Sequence, residues 1–238
     1  MKAVILAAGQ GTRLNKGWTI VPKPLIEVAD KTIIEHVISN LKEVGIKEFV
    51  IVIGFMSEHI KDYLRNGFDQ GVQIEYVYNP NYKENMVSSL IKVKELVEDP
   101  FIVCMADLFF KGSIIKSLLG NVTIDTNYAF IDKKLKTARR IEERVKIKLA
   151  GDNINNISLE LQDYDAIDCG IYLLQKSFFV KAEECITNGE NTLPQIIAKI
   201  ASHGQFQTLD IGEHQIIDID REKDVEYVQN EVYNNGAR

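Results

Sequence analysis

Short apolar runs alternate along the chain with segments whose apolar positions recur every three or four residues. The first run, residues 2–7 in MKAVILAAG, has no polar position after Lys2 to turn towards solvent, so it reads as a strand buried on both faces. An irregular loop follows to about residue 30. Ile33, Ile34, Val37, Ile38 and Leu41 then recur at helical spacing, and Gly45 stops the helix they predict. The alternation continues with a strand over 48–55 (EFVIVIGF), a helix capped by Ser57 and running to about 66, and a strand over 72–78. A helix over 88–97 leads to FIVCMAD, a strand ending at Asp107. Beyond it, strands over 128–132, 145–149 and 167–174 are joined by polar turns, and amphipathic helices cover 177–186 and 193–201. FQTLDI and QIIDI read as a last strand pair before a helix from Arg221. This order predicts an α/β fold with a Rossmann-like mixed, mostly parallel sheet flanked by helices on both faces.

Composition narrows the class. With 238 residues, 45% of them hydrophobic, the chain buries one sizeable core, as a single domain or two fused halves. A formal net charge of -6 argues against a nucleic-acid or anionic-membrane surface, which would need clustered Lys and Arg. Cys104, Cys169 and Cys185 are odd in number and lack C-x-x-C spacing, so neither a disulfide framework nor a zinc site is expected, and a cytoplasmic location fits. The opening apolar run gives way to Gly9, Gln10, Thr12 and Arg13 too soon for a signal peptide, and no later stretch approaches the roughly 20 apolar residues of a membrane helix.

In an open parallel sheet ligands bind at the carboxyl ends of strands, which directs attention to the loop after the first strand and to the end of FIVCMAD. Gly9-Gln10-Gly11-Thr12-Arg13-Leu14 lacks the third glycine of a dinucleotide fingerprint, and no Gly-Lys-Ser/Thr follows to make a P-loop. What remains is a glycine-rich turn whose N–H groups can face phosphate oxygens, with Arg13 inside it and Lys23 in Pro22-Lys23-Pro24-Leu25. The prolines restrict the backbone around Lys23 and so lower the entropy cost of aiming its ammonium. Two cations beside a cradle of amides suit a polyphosphate. Trp18, between the two motifs, is either a packing anchor or a lid contact.

L-A-A-G-x-G-T-R-L followed by P-K-P-L resembles the signature of the nucleoside-triphosphate:sugar-phosphate nucleotidyltransferases, and the likeness runs over nearly the whole chain. It implies a nucleotide-binding half at about 1–125 and an acceptor-binding half at about 126–238. Gly9, Gly11 and Arg13 would bind the triphosphate, with Leu6, Ala7, Ala8 and Thr12 beside them. Lys23 would lie at the reaction centre and Asp107 on a magnesium ion (Mg2+). A second metal-binding aspartate is implied near the C-terminus, where IIDIDREKDV offers Asp218 and Asp220; Asp218 is preferred, and the other is left solvated or as a cap for the following helix. Asn79, Asn85, Ser88 and Ser89 would line the base pocket, or else punctuate a loop and cap a helix.

Within that family VEDPFIVCMAD, YDAIDCGIYLL and IIDIDREKDV resemble the inositol-1-phosphate cytidylyltransferases, while the bacterial choline-phosphate cytidylyltransferases share the opening and an N-x-x-S-L element. The likeness to the former implies CTP and inositol 1-phosphate as substrates, with Asp168 facing the acceptor. Where those enzymes carry Gly-Lys, this chain has Ser158-Leu159; Lys133, Lys134, Arg139, Arg140, Lys146 and Lys148 are the cations that can substitute, Lys146 being taken as acceptor-binding. The implied partners are small molecules, an NTP and a phosphorylated alcohol or sugar, without nucleic acid or membrane, and a homodimer is compatible. Competing readings are a non-catalytic nucleotide sensor on the same fold and a molybdenum-cofactor-type nucleotidyltransferase.

Overall fold

The computed structural model describes residues 1–11, 14, 21–120, 122–123, 125–135 and 139–233. The opening run forms β1 (Ala3–Ala7), buried at every position. A single 3-10 turn at Lys23–Leu25 leads into a small hairpin, β2 (Glu27–Val28) and β3 (Lys31–Thr32), and then α1 (Ile33–Glu43). Glu35 starts α1 by accepting hydrogen bonds from the Thr32 N–H at 2.9 Å and the Thr32 hydroxyl at 2.8 Å. Next come β4 (Glu48–Ile53), α2 (Ser57–Leu64), β5 (Gln73–Tyr78), α3 (Met86–Leu90), β6 (Phe101–Met105), β7 (Leu108–Phe109) and α4 (Gly112–Leu119). The rest of the chain adds β8 (Asn127–Asp132), β9 (Lys146–Ala150), β10 (Asn153–Ser158), β11 (Ala166–Leu174), α5 (Ser177–Thr187), α6 (Leu193–Ala201), β12 (Phe206–Asp210), β13 (Ile217–Asp218) and α7 (Glu222–Tyr227).

Nine strands form one sheet in the order β5-β4-β1-β6-β11-β8-β12-β10-β9. The first four are parallel, with β1 central between β4 and β6, which is why their sequences carry apolar residues on both faces. From β11 onwards antiparallel pairs prevail, β12 with β8 being the parallel exception. Alternation along β1 sorts the core: Ile5 packs with Val37 and Leu41 of α1, while Val4 and Leu6 pack with Leu90 of α3 and Phe178 of α5. Helices therefore cover both faces. No helix among the described residues is long and apolar enough to cross a membrane.

Three local expectations change. Met56, with φ 49°, is the cap of α2, and Ser57 is its first residue. The helix expected over 88–97 begins earlier, at Met86 behind the cap Asn85, and ends in a 3-10 turn at Ile91–Val93. FQTLDI and QIIDI do not pair. β12 is flanked by β8 and β10 in the large sheet, so no edge is free for a hairpin partner, and β13 pairs instead with β7, Asp218 opposite Leu108.

Candidate active site

A cavity of about 310 Å3 opens where the carboxyl ends of the adjacent strands β1 and β6 give way to loops. Leu6, Ala7, Gly9 and Gly11 form one wall, Lys23 and Pro24 another, and Met105, Ala106, Asp107 and Asp220 the rest. The two glycines serve different ends. Gly11 has φ +57°, and a Cβ there would stand 2.5 Å from the Lys23 Cβ, so only glycine lets the loop lie against that lysine. A Cβ on Gly9 would meet nothing within 4 Å and its φ is not left-handed, so the protein's own packing does not demand glycine there. The open space over Gly9 belongs to the cavity. Ala8 is turned into the core, and its carbonyl accepts the Phe55 N–H at 3.0 Å. Thr12, Arg13 and Trp18 lie outside the described residues.

Lys23 leaves the turn between Pro22 and Pro24 with a side chain only 10% exposed, and its ammonium donates to Asp107 Oδ2 at 2.6 Å and to Asp220 Oδ1 at 2.5 Å. Burial works against the charge, but the two carboxylates outweigh it and hold the ammonium above its ordinary range. Asp107 follows β6 directly. Its carbonyl accepts the Ile219 N–H at 2.9 Å, and that bond, continuing the register of β13 on β7, carries Asp220 to the cavity.

Asp224, near the start of α7, fixes the approach of Asp220. Fully buried, it accepts the Asp220 N–H at 3.0 Å and the Arg221 N–H at 2.9 Å, and it holds the Arg140 guanidinium through two bonds of 3.0 Å each. Hydrogen bonding to Asp224 keeps the Arg140 charge well secured, and its Nη2 stands 3.6 Å from Asp220 Oδ2. The sequence reading missed Asp224. An acid three residues after Arg221 at a helix start was the available signal.

Asp218 does not reach the Lys23 ammonium; it is ion-paired with Arg144. Of the two aspartates it is therefore Asp220, not the preferred Asp218, that stands beside Lys23 in the cavity: β13 ends at Asp218, which Arg144 engages, and Asp220 lies two residues further on. Arg144 was also missed, since a cation inside RRIEERVK reads as solvated; it is only 9% exposed.

The remaining expected site residues lie apart from the cavity. Asn79 is buried and donates to the hydroxyls of Ser88 at 3.1 Å and Ser89 at 2.9 Å, while Asn85 caps α3 by accepting the Ser88 N–H at 3.1 Å. These four groups satisfy one another and brace the junction of β5 with α3. Lys146 is buried too, and its ammonium donates to the Leu159 carbonyl at 2.7 Å. Asp168 occupies a half-buried position at a bulge of β11, where it accepts the Gly170 N–H at 3.1 Å and the Tyr172 hydroxyl. Loss of hydration pushes its carboxyl above the usual range, although these bonds and the charge of Arg144 oppose the shift.

Residues 3–139 match the family of MobA-like NTP transferase domains. A protein of Aquifex aeolicus named bifunctional IPC transferase and DIPP synthase is 29% identical over 227 residues, which are 94% of this chain and 50% of that protein. One of the same name from Archaeoglobus fulgidus is 33% identical over 199 residues, 83% of this chain and 37% of its own length. The chain thus spans half or less of the length of these curated relatives. Among solved structures, the inositol-1-phosphate CTP transferase from T. maritima superposes with a TM-score of 0.82 at 21% identity, covering 94% of this chain and 90% of the other, a likeness of fold.

Proposed function

The chain belongs to the MobA-like NTP transferase domain family, and on that premise we propose that it transfers a cytidylyl group from CTP to inositol 1-phosphate, giving the CDP-alcohol and pyrophosphate. The observation that carries the reading is the convergence of Lys23, Asp107 and Asp220 beside the open face of Gly9. The choice of CTP and inositol 1-phosphate draws on the names of the relatives and the structural neighbour.

The donor set fits magnesium. Two carboxylate oxygens that both lie within 2.6 Å of one ammonium already converge on a cation. Hard anionic oxygens in that number, completed by substrate phosphates, suit Mg2+. No group of three or more His, Cys, Asp and Glu suited to a metal occurs among the described residues, which disfavours an all-protein zinc site. Asp107 and Asp220 would hold the ion, which when bound supplies charge neutralisation at the phosphoryl oxygens.

The chain's own groups account for the rest. The β1 loop receives the triphosphate over Gly9, where there is no side chain to exclude it. An acceptor phosphate oxygen attacks the α-phosphorus, forming one P–O bond as the bond to the bridging oxygen breaks and pyrophosphate leaves with those electrons. A phosphate dianion is already nucleophilic at neutral pH, so no general base is needed, and catalysis is positioning plus charge. Lys23 supplies a preorganised positive charge beside the transferring group. In this reading residues of about 1–125 bind nucleotide and those of about 126–238 the acceptor.

Phosphocholine is less well suited. Of Tyr128, Phe130, Tyr164 and Tyr172, three are buried and the half-buried Tyr164 already has the Lys146 ammonium 6.0 Å from its ring, so these four do not make an aromatic cage for a quaternary ammonium. The test is pyrophosphate release from CTP, UTP, GTP, ATP and dTTP against inositol 1-phosphate, glucose 1-phosphate and phosphocholine. Release confined to CTP with inositol 1-phosphate supports the proposal. Preference for another pair replaces the substrates, and no release from any pair in a folded protein removes the catalytic reading in favour of a nucleotide sensor.

A further inference from the structure

Asp220 separates the main cavity from a second, smaller one of about 20 Å3, and lines both. Arg139, Arg140, Glu143, Arg144, Ile217 and Asp218 stand around the smaller space, Glu143 being held by Arg140 and Arg221. Arg140 is engaged by Asp224 on both terminal nitrogens. Arg144 is not so engaged: Nη1 faces Asp218, while Nε and Nη2 are buried without any hydrogen-bond partner. Arg139 adds one more buried, unpartnered nitrogen, Nη1. A buried donor left without an acceptor is costly, more so on a charged group, so three together at a cavity wall call for a ligand that completes them.

The geometry defines that ligand. A guanidinium has donors only, so its partner must offer acceptors, and Nε with Nη2 is the edge that presents two parallel N–H bonds to one phosphate or carboxylate. A space of 20 Å3 admits about one water-sized oxygen. The bulk of the anion must therefore lie outside it, towards Asp220 and the main cavity. The triphosphate has its own wall at Gly9, Gly11 and Lys23, on the far side of Asp220. Arg144 instead precedes β9 in the other half of the chain, where its charge is felt by Asp168. Lys146, the cation expected for this task, is committed to the Leu159 carbonyl.

We propose that the free edge of Arg144, assisted by Arg139, binds the phosphate of the acceptor and presents it to the α-phosphorus beside Asp220. Asp218 orients the guanidinium through Nη1 and leaves the edge open. The inference rests on the reading of the chain as a nucleotidyltransferase acting on a phosphomonoester.

Calorimetry on the full chain with Mg2+ tests it, using inositol 1-phosphate, unphosphorylated inositol, orthophosphate and CTP as probes, alongside steady-state kinetics. Arg144→Gln is expected to lose at least about tenfold in affinity for inositol 1-phosphate and orthophosphate and to raise the acceptor KM correspondingly, with CTP affinity kept. Arg144→Lys should recover only part of the loss, because an ammonium lacks the bidentate edge. If Arg144→Gln does not fold, Arg144→Gln with Asp218→Asn removes the pair as a unit and should show the same selective loss. Unchanged acceptor KM and orthophosphate affinity overturn the proposal while the cytidylyltransferase reading stands, and so does an equal loss of CTP affinity. Orthophosphate binding that depends on Arg144, in a protein that does not use inositol 1-phosphate, upholds the anion site and rejects the acceptor named above.

Discussion

Asp224 holds Asp220 by the backbone: its Oδ2 accepts the Asp220 N–H at 3.0 Å, so a fully buried carboxylate determines where a half-buried one points. The same oxygen pair binds Arg140, which also donates to Glu143 at 3.3 Å and stands 3.6 Å from Asp220 itself. Asp224→Ala takes the bidentate partner from Arg140, which keeps Glu143 and Asp220, and leaves the Asp220 and Arg221 N–H groups without their acceptor, a loss of about 1–3 kcal/mol. Asp224→Asn keeps an acceptor for the Asp220 N–H but halves the bidentate pair, and should destabilise less. Denaturant midpoints measure both. A wild-type midpoint for Asp224→Ala would remove Asp224 from this role.

The aspartate that serves the reaction is a matter of position. Asp107→Asn and Asp220→Asn are each expected to cut turnover by about 100-fold or more, since each takes a charge from the point on which Lys23 and Mg2+ converge. Asp218→Asn should stay within about tenfold, because Asp218 faces Arg144. Measured kcat with saturating substrates decides it; a collapse in Asp218→Asn alone would restore that residue to the metal.

What the sequence made legible follows from how local its cause is. Unbroken apolar runs such as AVILA and EFVIVI require cover on both faces and so announced the parallel half of the sheet. The P-K-P-L motif fixed Lys23 because proline acts on its immediate neighbours. β10 was invisible: its buried Ile154 and Ile157 are three apart, a spacing that no flat strand has, and a bulge between Ile154 and Asn156 restores them to one side. That Asp220 rather than Asp218 meets Lys23 goes with the pairing of Asp218 to Arg144, brought in from a distant part of the chain. Asn79 and Asn85 were ambiguous because the same groups that can read a base can also cap a helix, and here they brace α3.

Gly9 and Gly11 should separate under the same substitution. Gly11→Ala imposes a left-handed alanine and a clash with the Lys23 Cβ, costing about 2 kcal/mol or more and disturbing the lysine. Gly9→Ala meets no protein atom, so thermal stability should hold or rise by a few tenths of a kcal/mol, while the methyl intrudes on the triphosphate and raises the NTP KM by about tenfold. Melting curves and kinetics on both variants check this. Normal nucleotide KM in Gly9→Ala would place the phosphates elsewhere.

In the proposed mechanism Lys23 and Mg2+ would compete for the same two carboxylates. The Lys23 ammonium is held above its ordinary value of 10.5 in the fold by Asp107 and Asp220, against burial. A group whose folded pKa is raised contributes stability that is complete below the unfolded value and disappears as pH rises through the folded one. The stability gap between the wild type and Lys23→Met should therefore be steady from about pH 7 to about pH 9, then narrow above 10.5 as the wild type gives up its proton. In Lys23→Met the two carboxylates lose the ammonium they share, although Arg140 still stands 3.6 Å from Asp220 Oδ2. Mg2+, added without nucleotide, should bind them about tenfold more tightly than in the wild type and raise the melting temperature further, because it no longer displaces an ammonium. Turnover should nevertheless fall by about 100-fold or more, as the charge that Lys23 brings to the phosphoryl group has gone. Calorimetric Mg2+ titration of the two proteins separates these effects. Equal affinities would mean that the ion does not use the oxygens Lys23 holds, and would move the metal away from Asp107 and Asp220.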